Sequence, residues 1–325
     1  MKASRSIAVS SLVLALGSVP GVALAQDHWP SKPIRMIVPF TAGSASDVLG
    51  RIVGQRLSEI WGQQIVVDNR PGAGGLIGSE LTRQAAPDGY TLAMVGQPHL
   101  SNVLLREDKP YDPLKDFTAI SLVASTPNVI VLGRGVNAKT IPDLIALAKA
   151  KPGALNYGSA GVGSSSHLAG ALLVSKAKID VVHVPFRQGP DSRAALVTGA
   201  IHFYVYPLPA IVTLLKSGAL KALAVASAKR AAALPELPTS AEAGFPEYKS
   251  ESWFGLIGPR ALPRRVIAKI NADTVSVLKE QATQQKFALQ GAEPGFGPPE
   301  HFAKMQRDEY AELGALIKAI GMKAQ

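Results

Sequence analysis

Twice along this chain a short β-branched run ends in a loop of glycine, serine and alanine that opens directly into an apolar helix pattern. The first run is Ile34-Arg-Met-Ile-Val38, followed by Pro39-Phe-Thr-Ala-Gly-Ser-Ala-Ser-Asp47. Beyond it Val48, Leu49, Ile52, Val53, Leu57 and Ile60 recur at three- and four-residue spacing, one apolar stripe of a helix over 47–61. The second is Leu155–Tyr157, then Gly158–Ser166, then a helix from His167 to about Ala177. The alternation continues with strands expected at 64–67, 90–95, 129–132, 181–184, 201–205 and 220–226. Helices are expected at 78–86 and at 144–149, the latter opened by the capping box Thr140-Ile-Pro-Asp143. From Pro263 the pattern is helical to the end, broken over Gly291–Pro299. Strand–helix alternation of this kind calls for parallel α/β sheets. No low-complexity linker separates the two blocks, so two closely joined lobes are expected. The expected division is 26–125 with 251–325 for one lobe and 126–250 for the other, with chain crossings near 123–127 and 251–256.

The first 25 residues read as a leader. Lys2 and Arg5 precede the apolar run Ile7–Leu16, and Ala23-Leu-Ala25 offers the small-x-small pattern cleaved before Gln26. Ser10, Ser11, Ser18 and Pro20 interrupt the ~18 apolar residues that a membrane anchor would need. The expected compartment is therefore the periplasm. Cleavage removes two of the 34 basic residues and none of the 24 acidic ones, leaving a basic mature chain. Its Lys and Arg are dispersed and not interleaved with aromatics, which argues against nucleic acid and suits attraction of anionic solutes. With no cysteine, an exported chain must be held by its core, and thiol chemistry is excluded. The six histidines lie at least sixteen residues apart, so no metal-ligand spacing exists, and neither metal nor cofactor is expected.

Both small-residue loops place backbone N–H groups at the positive end of a helix dipole, where an anion is favoured. In the first loop Phe40, Thr41, Ala42, Ser44 and Asp47 are candidate ligand contacts; an ordinary turn with Ser46 or Asp47 as cap is the alternative. In the second the candidates are Ser159, Ala160, Gly161, Gly163, Ser164 and His167. Gln97 and His99 follow a strand end and could line a cleft, and Arg187 could pair with an anion. Gly72-Ala-Gly-Gly-Leu-Ile-Gly78 fails the dinucleotide-binding spacing. No serine sits in a nucleophile elbow, so a Ser164–His167–Asp47 triad has no motif behind it.

In order, these segments resemble one family, the Bug/TctC solute receptors of tripartite tricarboxylate transporters. The landmarks are Trp29-Pro-Ser-Lys-Pro-Ile-Arg-Met-Ile-Val-Pro-Phe40, Val67-Asp-Asn-Arg-Pro-Gly-Ala-Gly-Gly75 and Pro87-Asp-Gly-Tyr-Thr-Leu92. Tyr157-Gly-Ser-Ala-Gly-Val-Gly-Ser164, His167-Leu-Ala-Gly170, His183-Val-Pro-Phe186, Leu223-Ala-Val-Ala-Ser227, Leu237-Pro-Thr239, Glu242-Ala-Gly244 and Ser252-Trp-Phe-Gly255 complete them. The resemblance implies a type II periplasmic binding fold, two α/β lobes hinged by crossing strands around a ligand cleft. It also implies a small carboxylate as ligand, held by both loops and by ordered water, and delivery to the membrane subunits of such a transporter. The chain departs from the family at Ser44, His202 and Tyr206, the last two standing where acidic residues are common. A ligand amine thereby loses a counter-ion, and the run Phe203-Tyr-Val-Tyr206 offers stacking surface to an aromatic acid, with Phe203 and Tyr206 as candidate contacts. Core packing explains alternating aromatics equally well.

The reading is thus a monomeric, non-enzymatic receptor for a small carboxylate, either an aromatic acid or a di- or tricarboxylate. The alternatives are a ligand sensor of a signalling system and a periplasmic serine hydrolase.

Overall fold

The computed structural model describes residues 29–187 and 189–322, and the expected leader with its cleavage point lies outside them. The first lobe opens with β1 (Ile34–Val38), α1 (Ala45–Trp61), β2 (Ile65–Asn69), α2 (Leu76–Arg83), β3 (Thr91–Gly96) and α3 (Pro98–Leu104). The long strand β4 (Phe117–Leu132) carries the chain across. The second lobe holds α4 (Ile141–Ala150), β5 (Asn156–Ser159), α5 (Ser165–Ala177), β6 (Val182–Pro185) and α6 (Gly189–Thr198), then β7 (Phe203–Pro207), α7 (Val212–Lys216) and β8 (Lys221–Val225). Strand β9 (Glu251–Pro259) returns the chain. Then α8 (Arg264–Lys279), α9 (Gln281–Leu289), β10 (Glu293–Pro294) and α10 (Pro299–Ala319) pack back on the first lobe.

In the first lobe β1 lies between β2 and β3, parallel to both, and β9 runs antiparallel between β3 and β4. Alternation along β1 buries Ile34, Met36 and Val38 against α1 and α8, while Ile37 faces the layer of α3 and α10. Gly50 and Gly54 let α1 lie close on Met36 and Ile65, where an added Cβ would sit 3.3 Å from either side chain. In the second lobe β5 runs parallel to β6 and β7, and β7 and β8 flank the end of β4.

Strand β4 belongs to both lobes. Phe117 to Pro127 pair with β9, whereas Asn128 to Leu132 pair with β7 and β8. Asn128, fully buried, ties the two crossings together. Its N–H donates to Ser250 O at 3.0 Å and its Nδ2 to Ser250 Oγ at 2.7 Å, while its Oδ1 accepts from Ser252 Oγ at 2.9 Å. A buried amide with its bonds made is inexpensive, and one left unpaired costs about 1–3 kcal/mol. Asn128 therefore ties β4 to the returning segment where the chain crosses between the lobes.

The expected capping box is present at Thr140 and Asp143. Helix α1 begins at Ala45, earlier than its apolar stripe, because Ser44 caps it and the first turn needs no apolar residue. Strand β4 begins at Phe117, twelve residues before the expected Val129. Its polar positions Thr118, Ser121 and Ser125 hide the strand period, and two register shifts against β9 break it further. Helices α3 and α6 lack an apolar stripe long enough to show in sequence.

Candidate ligand-binding site

The two small-residue loops face each other across the interlobe cleft, and they are built alike. After β1 the loop turns at Thr41–Ser44, with Ser44 N–H bonded to Thr41 O at 3.1 Å. Gly43 adopts φ 76°, the left-handed region that a side chain would disfavour. Ser44 is the N-cap of α1, its Oγ accepting from Asp47 N–H at 3.3 Å. Asp47, at the third helical position, folds back so that Oδ2 accepts from Gly43 N–H at 2.9 Å. Its Oδ1 accepts from Arg51 Nε at 3.0 Å and from Asn69 Nδ2 at 3.0 Å. Burial pushes the Asp47 carboxyl up, but these hydrogen bonds outweigh it and hold the pKa below its ordinary value.

After β5 the chain repeats the device. Ser164 N–H bonds Gly161 O at 3.1 Å, Gly163 has φ 80°, and Ser164 caps α5 by accepting from His167 N–H. His167, again at the third helical position, accepts from Gly163 N–H through Nδ1 at 3.2 Å. Its ring stacks on His183 at 4.0 Å, and His183 Nε2 meets Ser159 Oγ at 2.7 Å. Burial pushes His167 down to about 4, and burial together with its histidine neighbour pushes His183 down to about 3. Both imidazoles are neutral at pH 7.

Between the two helix starts lies a cavity of about 70 Å³. The first lobe lines it with Phe40, Thr41, Ser44–Ser46, Gly72, Gly74, Gly75, Gln97, Trp253 and Phe254. The second lobe adds Ala160, Ser164–Ser166, Arg187, Gly189, Arg193, Tyr204 and Tyr206. Among the described residues no Asp or Glu is on this wall, whereas two arginines are. Ser44 and Ser164 satisfy only the third N–H of each helix. The N–H groups of Ala45, Ser46, Ser165 and Ser166, all on the wall, have no acceptor among the described residues.

The lobes already touch along one edge, where Ser101 Oγ donates to Gly163 O at 2.7 Å. There an added Cβ at Gly74 would lie 2.3 Å from Val162 O. A groove of about 640 Å³, lined by Asn102, Arg106, Gly161 and Arg187 among others, adjoins the cavity. Behind the wall, Glu309 of α10 accepts from Gln97 Nε2 at 2.6 Å and from the Trp253 indole, which holds both wall residues in place. Burial raises the Glu309 carboxyl's pKa against the pull of those two bonds.

Of the residues singled out in sequence, Phe40, Thr41, Ser44, Gln97, Ala160, Ser164, Arg187 and Tyr206 stand on the cavity wall, and Gly161 lines the adjoining groove. The structure puts the others elsewhere. Ala42 is at the exposed loop tip. Asp47 and His167 lie behind their loops, because a third-position side chain curls back toward the loop N–H groups and not outward. Gly163 packs against Asn102. Ser159 supports His183 from below. His99 is buried in the first lobe beside Ser79, stacked on Tyr111 at 5.3 Å, with burial lowering its pKa to about 4. Phe203 faces the opposite side of β7 from Tyr206 and packs on Tyr157 in the second-lobe core. Strand parity puts Tyr204 on the cavity side instead, stacked on Tyr206 at 3.6 Å. The wall residues that sequence reasoning missed include Tyr204 and Arg193, with Ser165, Ser166, Trp253 and Phe254 beside them. The aromatic run contained the first, but nothing marked Arg193 within a helix of weak pattern. Ser164, His167 and Asp47 form no relay: Ser164 Oγ donates to Gly161 O at 2.6 Å, and Asp47 is tied to Arg51 in the other lobe.

Comparison with known proteins agrees with this architecture. Protein BugT of Bordetella pertussis is 31% identical over 325 residues, covering 99% of each chain. Among solved structures, R. palustris Rpa4515 with adipate is 33% identical and superposes with a TM-score of 0.88 over 91% of this chain and all of that one. The Rhodopseudomonas palustris protein MatC, with bound malate, is 28% identical with a TM-score of 0.84, covering 89% of this chain and all of that one. Residues 49–322 match the tripartite tricarboxylate transporter family receptor, and this two-lobed chain belongs to that family.

Proposed function

We propose that this protein is a periplasmic receptor that closes on a small carboxylate and delivers it, chemically unchanged, to the membrane subunits of a tripartite transporter. The observation that carries the reading is a set of four helix-start amides, two from each lobe, that have no acceptor among the described residues and share a cavity wall on which those residues place no Asp or Glu. Such amides at dipole ends suit a carboxylate, and a ligand held by both lobes stabilises the closed form over the open one. The adipate and malate of the related structures are small carboxylates of this kind. Phe40, Trp253, Tyr204 and Tyr206 give the ligand's hydrocarbon body an apolar wall, which suits an aliphatic chain or an aromatic ring. The mature chain begins at Gln26 and acts as a monomer.

Thermal melts of the mature chain with a panel of aliphatic di- and tricarboxylates, benzoate, phthalates and acidic amino acids test this. A ligand at 100 times its Kd adds about 2.7 kcal/mol of stability, a shift of several degrees. Folded protein that responds to no member overturns the carboxylate reading, and consumption of a bound member overturns the non-enzymatic one.

A further inference from the structure

Arg193 projects from α6 of the second lobe toward the first-lobe loop. Its Nη2 lies 3.7 Å from where a side chain at Gly43 would begin, and Nη1 lies 3.3 Å from the same point at Gly189. The lobes meet at this mouth of the cleft, since a Cβ at Gly189 would sit 3.2 Å from Thr41 Oγ1. Arg193 is half-buried and on the cavity wall, and no carboxylate among the described residues pairs with it. The tyrosine hydroxyls on the same wall are neutral and give the guanidinium no counter-charge. Tyr206 OH is bonded to Ser192 Oγ at 2.7 Å, and Tyr204 OH to Ser166 Oγ at 3.1 Å. Arg187, the other cavity arginine, is exposed where the cavity meets the side groove.

A guanidinium presents five donors in a planar fork, and in a partly dry cleft it is stabilised best by an anion it can grip with two bonds. The charge on the wall also limits the ligand. Each helix start supplies about half a positive charge and Arg193 adds a full one, so about two positive charges face the ligand; among the described residues no acid is on the wall, and Asp47 behind the first loop is paired with Arg51. A monoanion leaves about one of these uncompensated.

We propose that Arg193 determines the charge of the ligand this receptor accepts: the helix-start amides hold one carboxylate, and Arg193 grips a second anionic group as the lobes close. This rests on the carboxylate-receptor reading and adds that the ligand is a dianion. It also makes Arg193 a cross-cleft latch, because the anion it holds lies against the loop of the opposite lobe.

Calorimetric titration of the full mature chain with ligand pairs of matched size tests it: adipate with hexanoate, glutarate with pentanoate, and phthalate with benzoate. The wild type is expected to bind the dianion of at least one pair 100-fold or more tighter than its monoanion. R193Q should weaken that dianion by about 30- to 5,000-fold, the range for losing one partner of a charge pair that ligand closure buries. The same substitution should leave the monoanion within threefold. R193K, which keeps the charge but loses the fork, should fall between. Equal loss for both members of a pair, or no loss for the dianion, overturns the role given to Arg193 while leaving the receptor reading intact. A wild type that prefers the monoanions also overturns it. Folded wild type that binds neither member of any pair overturns the carboxylate reading and this inference with it.

Discussion

The loops at 39–47 and 159–167 solve one problem with different chemistry. Each has a left-handed glycine, then a serine N-cap, then a third-position side chain that reaches back to the glycine N–H. In the first lobe that side chain is a carboxylate, clamped by Arg51 and Asn69. In the second it is a neutral imidazole, propped by a stacked partner with Ser159 beneath. The glycines differ too. Among the described residues Gly43 faces the Arg193 guanidinium, whereas Gly163 is pressed against Asn102 of the other lobe. The first loop is thus secured within its own lobe by charge. The second is secured by packing, part of it across the cleft. The same backbone device tolerates either solution because what it requires is an acceptor at the third position, not a charge.

The largest separation between the loops should come from their glycines. Gly163→Ala forces a left-handed alanine, costing about 1–2 kcal/mol, and drives a Cβ to 2.3 Å from Asn102 Oδ1, adding about 1–3 kcal/mol of overpacking. Gly43→Ala incurs only the first cost, its nearest neighbour being 3.7 Å away. Denaturant melts of the two variants measure the gap, and equal losses would mean that the lobes do not meet at Gly163 in solution.

Acid should separate the loops next. His167 holds its proton more weakly folded than unfolded, so its contribution is complete above pH 6.5 and is lost as pH falls toward about 4. That drop amounts to about 3 kcal/mol. Asp47, with a lowered pKa, contributes stability that is complete above its ordinary 3.8 and disappears only below it. Amide exchange at pH 5 should therefore show Gly163 opening while Gly43 stays protected. Protection that changes equally at both would break the distinction between charge and packing.

The smallest effect should fall where the loops are most alike. Ser44→Ala and Ser164→Ala each remove one cap, and each should cost about 1 kcal/mol. Ser164 Oγ also donates to Gly161 O at 2.6 Å, so Ser164→Ala should be slightly the costlier, and a difference of more than about 1 kcal/mol the other way would break the likeness.

Local signals made much of this fold legible. The alternation of β-branched runs with apolar stripes placed β1, α1 and the β5–α5 unit, and Thr140 with Asp143 marked the start of α4. The small residues at 39–47 and 158–166 announced two helix-start loops, because such loops admit little else. Where those loops pointed was not local information. Asp47 and His167 read as ligand contacts by type, yet the first helical turn directs them inward to their own loop amides. Phe203 and Tyr204 are adjacent in a run of aromatics, and only the register of β7 against β4 decides which faces the cavity.

The sequence by itself determined the α/β class, the two loops and the family, because each is written in short-range pattern and in an ordered series of motifs. The tertiary structure alone decided that Asn128 pins the crossing, that the two helix starts share one cavity, and that Arg193 enters it from α6. Those are contacts between residues far apart in the chain, and spacing along a sequence says nothing about which distant side chains closure brings within reach.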